Sequence, residues 1–93
     1  FLYKDFVSIP QLNLISSGTA PAIGTATLIA GTITVNTTLA DSTNSKIFLQ
    51  RKTSGGVIGN EITYTISDNT SFTITSDSAL DTSTFDWMIV NQY

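Results

Sequence analysis

The chain contains no cysteine and no histidine, and its 93 residues include only four cations and seven anions. Each absence removes a chemistry. Without imidazole or thiol there is no histidine general base, no thiolate nucleophile, no disulfide framework and no zinc site of the usual nitrogen and sulfur ligands. Four Lys and Arg within a net charge of -3 exclude the footprint of a protein that grips a phosphate backbone, so nucleic acid is not an expected partner. Charged residues at 12% are about half the ordinary share, which rules out a chain held disordered by its own charge. Long hydrophobic runs are missing as well. Thr, Gly or Ser interrupts the longest apolar stretch every few residues, so nothing approaches the ~18 residues that span a bilayer, and no membrane insertion is expected. Phe1-Leu2-Tyr3-Lys4-Asp5 has neither the basic region nor the apolar run of a signal peptide, and a start on Phe1 rather than Met reads as an excised or processed fragment.

What the chain does have is hydroxyl. Its 16 Thr and 11 Ser stand beside 41% apolar residues, 11 of them Ile, enough for the core of one small domain. From Gly24 onward, short β-branched and aromatic runs alternate with Thr and are cut by small polar clusters, the period-2 pattern of half-buried strands. Thr25 to Ile29 and Thr32 to Asn36 read as a hairpin across Ala30-Gly31, where Gly31 supplies a positive φ. Lys46 to Arg51 is a third strand after the turn residues 41–45, and Thr53 to Asn60, with three glycines, reads as a flexible loop. Glu61 to Ser67 sets Ile62, Tyr64 and Ile66 against a hydroxyl face. Asp68-Asn69-Thr70 then turns the chain into an antiparallel partner, Ser71 to Ser76, with Phe72 and Ile74 inward. Phe85 to Val90 closes the pattern; Trp87 to Val90 is apolar on both faces, which suits a central or covered strand.

Six strands at this spacing describe an all-β domain, a small antiparallel β-sandwich of jelly-roll-like type occupying residues 24–93. Residues 1–23 break the rhythm. Phe1 to Leu14 is richer in aromatics and carries Pro10, and residues 15–22 read as a linker, so residues 1–23 are taken as the end of an upstream stalk or linker.

Few side chains point to chemistry. Glu61, Asp77, Asp81 and Asp86 are the available carboxylates for a glycosidase-type pair, at no convincing spacing, and turn capping accounts for Asp77 and Asp81 more simply. Asp77, Asp81 and Asp86 could alternatively gather a calcium ion through oxygen ligands; no other cofactor is expected. Trp87 and Tyr64 are the aromatic candidates for stacking on a sugar, although Trp87 shares its face with Phe85 and Ile89, the register of a core residue. Met88 and Val90 face the other way with Asp86, which suggests a subunit contact or a covering loop from Val57-Ile58. Arg51-Lys52 reads as a small solubilising pair. The Thr-rich, charge-poor surface suits display outside a cell and, less directly, saccharide contact through hydroxyls.

Four ordered blocks carry a resemblance: Gly24 to Thr38, Asn44 to Leu49, Thr70 to Ser76, and Asp81 to Thr84 leading into Trp87-Met88-Ile89-Val90. Together they resemble a module found near the C-termini of bacteriophage tail fibres and tailspikes, including those that carry polysaccharide depolymerases. The resemblance implies a non-catalytic β-sandwich at the distal end of a homotrimeric virion appendage, made in the bacterial host cytoplasm, that promotes trimerisation and folding. Met88 and Val90 would then lie in the trimer interface. The alternative it implies is a carbohydrate-binding module for a host surface polysaccharide. Relatives often carry Arg at the place of Lys46 and a small apolar residue at that of Asp86, so Asp86 puts a charge beside the last strand.

Overall fold

A computed structural model describes residues 15–91 of the chain, and the expected stalk segment 1–14 lies outside them. The described residues form six strands and no helix: β1 (Ile23–Thr27), β2 (Thr32–Asn36), β3 (Ser45–Thr53), β4 (Ile62–Ser67), β5 (Ser71–Ser76) and β6 (Thr84–Asn91). They make two three-stranded antiparallel sheets, ordered β1-β6-β3 and β2-β5-β4. First pairs with last and second with fifth, the winding of a long antiparallel ribbon rolled around its own core. This is the jelly-roll-like sandwich that the strand rhythm implies.

The core forms where the inward residues of both sheets meet. Ala26, Ile47, Phe85, Trp87 and Ile89 come from the first sheet and Phe72 and Ile74 from the second, with Leu28 closing one end. Phe72 and Ile74 have no exposed surface. The Trp87 ring meets the edge of Phe72 at 73° with centroids 5.1 Å apart, a geometry that adds about 0.5–1.5 kcal/mol to area burial. The strand apolar on both faces, β6, is central, as its pattern requires.

Three local expectations are corrected. Ala30-Gly31 does turn tightly, with φ of 54° and 83° and reciprocal main-chain bonds between Ile29 and Thr32. The strands it joins nevertheless enter different sheets, because β1 pairs with β6 and β2 with β5. The turn is a crossing between layers, not a hairpin; β4 and β5 are the consecutive strands that pair. The glycine-rich loop after β3 is also bonded along its length. Thr82 donates to the Gly55 carbonyl and Val57 to the Leu80 carbonyl, each at 3.1 Å, and Gly56 bridges Asp81. Part of the expected linker is docked too. Ala22 is buried, Thr38 donates to the Thr19 carbonyl at 2.9 Å, and the Thr37 hydroxyl donates to the Pro21 carbonyl at 2.7 Å.

Strand direction sorts the connections into two ends. Residues 15–22, 37–44 and 68–70 lie at the end where the chain enters, and residues 28–31, 54–61 and 77–83 gather at the other.

Candidate functional site

The two outer faces of the sandwich differ in kind. On the β2-β5-β4 sheet the outward rows are Thr32, Thr75 and Thr63; Thr34, Thr73 and Thr65; and Asn36, Ser71 and Ser67. Eight hydroxyl residues and one amide thus cover that face with no charge, and Thr34 and Thr73 bond each other at 2.9 Å. On the β1-β6-β3 sheet the corresponding rows are Ile23, Met88 and Phe48, then Thr25, Asp86 and Gln50. Beyond the apolar row stand Val90 and Lys46. The floor between the two main rows is the backbone of Gly24, Trp87 and Leu49, and a groove of about 470 Å³ opens over it with Ser16 at its rim.

This placement settles several side chains. Trp87 is 4% exposed and spends its ring inside the core, so it offers no face for sugar stacking. Tyr64 is half-buried, and its hydroxyl accepts from the Ile47 amide at 3.5 Å, a long bond that partly covers the open edge of β3. Met88 and Val90 do share the outward face, with Val90 43% exposed. Val57 and Ile58 do not cover them. They stand beside Leu80 at the opposite end of the sandwich. Phe48, 56% exposed, is the aromatic on this face that the strand reading passed over. Its signal was the alternation with Ile47 and Leu49, which turn the other way.

The acidic residues do not converge. Asp77 Oδ1 accepts from the Asn60 amide at 2.8 Å, and Asp86 Oδ1 accepts from the Thr25 hydroxyl at 2.8 Å on the outer face. Asp81 has no exposed surface. Among the described residues no three acidic side chains come together as a metal site.

Asp81 is instead the centre of the loop end. Its carboxylate accepts from the Ser83 amide at 2.9 Å, the Ser76 hydroxyl at 2.9 Å and the Gly59 amide at 3.0 Å, and faces Arg51 at 3.5 Å. The Ser83 hydroxyl accepts from Arg51 and from the Gly55 amide, which leaves its own proton for Asp81. That hydroxyl, together with the amides and Ser76, outweighs burial and holds the Asp81 carboxyl far below the usual carboxylate range. Arg51 also lies over the Phe85 ring, 4.9 Å from its centroid. Arg51 is therefore a structural brace, where the sequence suggested a solubilising charge. The cluster ties the 54–61 and 77–83 connections to each other and to β3 and β5, and leaves no group free to act as acid or base.

A family model described as K1 capsule-specific polysaccharide lyase, C-terminal domain, matches residues 19–90. No curated protein and no solved structure matches the chain. The match runs from the segment docked before β1 to the next-to-last residue of β6, and it agrees with the tailspike-type resemblance of the same four blocks. The chain belongs to the K1 capsule-specific polysaccharide lyase C-terminal domain family, a phage tailspike-type module.

Proposed function

We propose that this module performs no chemistry of its own and joins three chains at the end of a tailspike, promoting their folding and register. The observation that carries the reading is the outward placement of Met88 and Val90 on a sheet whose other side is already the core. A small domain with no disulfide buries a smaller share of its surface than a large one, and association is the remaining route to robustness outside a cell. The hydroxyl-covered opposite face supports the same polarity, one side for neighbours and one for water. The absence of catalysis is supported by Asp81 being fully engaged inside the fold and by Asp77 and Asp86 lying apart from it.

Sedimentation equilibrium tests the association. The chain is expected to run at three times its 10.0 kDa mass, and Val90→Glu to shift it toward monomer. A wild-type chain that stays monomeric at high concentration would overturn the reading. Incubation of the isolated chain with capsular polysaccharide is expected to release no unsaturated product.

A further inference from the structure

We propose that the loop end of the sandwich, remote from where the chain enters, rests its apolar side chains in an electrically neutral lipid surface. Three segments lie side by side there: the turn at residues 29–31, residues 78–81 and residues 55–58. The Gly31 amide donates to the Asp81 carbonyl and the Val57 amide to the Leu80 carbonyl, each at 3.1 Å. All three segments carry large apolar side chains outward. Ile29 is 70% exposed, Leu80 66%, Val57 56% and Ile58 43%. These side chains have no room to tuck in. A Cβ on Gly31 would strike the Ser78 carbonyl, one on Gly56 the Leu80 carbonyl, and one on Gly55 would stand 2.7 Å from the Thr82 hydroxyl, so the three backbones already touch. The space behind them is held by Asp81 with Ser76, Ser83, Gly59 and Arg51, a polar cluster that an aliphatic side chain gains nothing by entering. The outward display is therefore built into the loop end.

The surroundings select the partner. Four such side chains expose roughly 400 Å², the scale at which an apolar patch marks a contact, yet only about half of what each side of a specific protein interface buries. A lipid surface asks for no matching shape, so a small patch suffices. The described chain enters at residue 15 and leaves at residue 91 at the opposite end, and Met88 and Val90 stand on the half of β6 nearer that end. The patch is thus separate from the face assigned to joining chains. Charge narrows the class of lipid. Exposed Glu61 and Asp77 stand at this end against one exposed cation, Lys52, while Arg51 is engaged with Asp81. Segments that hold proteins on anionic membranes bring about 4–8 cations, and here carboxylates outnumber the free ammonium. The contact is peripheral: loop side chains reach the boundary between headgroups and acyl chains, and no helix among the described residues is long and apolar enough to cross a membrane.

Flotation of the chain with phosphatidylcholine vesicles tests the contact, with phosphatidylglycerol vesicles as the anionic arm. About half of the chain is expected to float with phosphatidylcholine at ~1 mM lipid, and several-fold less with phosphatidylglycerol. Ile29→Ser and Leu80→Ser should each lower the partition coefficient about tenfold and leave the urea midpoint and sedimentation mass unchanged, since neither side chain is in the core. Glu61→Gln should raise partition into phosphatidylglycerol about fivefold. No flotation at ~10 mM lipid, or serine variants that float like the parent, would overturn the proposal. Serine variants of lower sedimentation mass would make the patch a seat for a second copy, which overturns it as well. The joining role fails or stands separately. A Val90→Glu chain that becomes monomeric and still floats upholds both readings, and a monomeric wild type that floats upholds this one alone.

Discussion

Gly24 and Trp87 face each other across the β1–β6 pair, and a Cβ on Gly24 would stand 2.7 Å from the indole Cζ2. The glycine is what allows the largest side chain of the core to lie flat under an edge strand. Gly24→Ala should therefore destabilise the fold by about 1–3 kcal/mol, the usual cost of overpacking, because the ring is held on its other side by Phe72. Urea unfolding followed by Trp87 fluorescence measures both the loss and any shift of the ring. An unchanged midpoint would show that β1 can move away without cost.

The turn between the sheets supplies an opposite case. Ala30 holds φ at 54°, a region that costs an L-residue roughly 1–2 kcal/mol, and its side chain is exposed. Ala30→Gly should raise stability by about 0.5 kcal/mol after the greater chain entropy of glycine is subtracted. Gly31→Ala should do the reverse, since its φ is 83° and a Cβ there would run into the Ser78 carbonyl oxygen. Denaturant midpoints at constant m separate the two outcomes; a destabilised Ala30→Gly protein would contradict the strain argument.

These two turn residues also show what the sequence could and could not express. Ala30-Gly31 announced a tight reversal, and the reversal is there. Whether the flanking strands then pair depends on β5 and β6, more than 35 residues away, and no local signal carries that choice. Alternation in β4, β5 and β6 was legible because each strand has one face on the core, so inward Phe72, Ile74, Phe85, Trp87 and Ile89 followed from period alone. Asp81 was not. Its partners Arg51, Gly59, Ser76 and Ser83 are scattered over β3, the connection after it, the end of β5 and the connection into β6, and an Asp in a polar loop has the same local pattern whether it caps a turn or is buried. The outer-face pair of Met88 and Val90 was readable from β6, whereas Phe48 and Gln50 joined the surface only once β3 was known to lie beside it.

The buried carboxylate gives the fold an acid limit. A folded-state pKa held below the ordinary Asp value means that Asp81 contributes stability that is fully present above the unfolded pKa of about 3.9. That contribution is lost progressively as pH falls from there toward the depressed folded value. Urea midpoints should thus be steady, as far as Asp81 is concerned, from neutral pH down to about 5 and decline below about 4. Asp81→Asn should be less stable at neutral pH, because Arg51 loses its counter-charge, and should show a shallower decline in acid. Parallel acid profiles for the two proteins would remove Asp81 as the cause.

The hydroxyl face yields the last test, which separates what threonine does for folding from what it does for display. Thr34 and Thr73 sit opposite each other on β2 and β5, their methyl groups on the pleat and their hydroxyls bonded at 2.9 Å. Valine keeps the shape and the strand preference but removes the polar surface. The double variant Thr34→Val and Thr73→Val should fold with a stability within about 1 kcal/mol of the parent, since an exposed hydroxyl pair contributes little net. Its solubility should fall, because two central positions of an otherwise hydroxyl grid would become an apolar patch between open strand edges. Light scattering against concentration measures that directly. Equal solubility with a large loss of stability would mean that the threonines serve the fold; the expected opposite result means that they keep this face wet while the other face is left to bind.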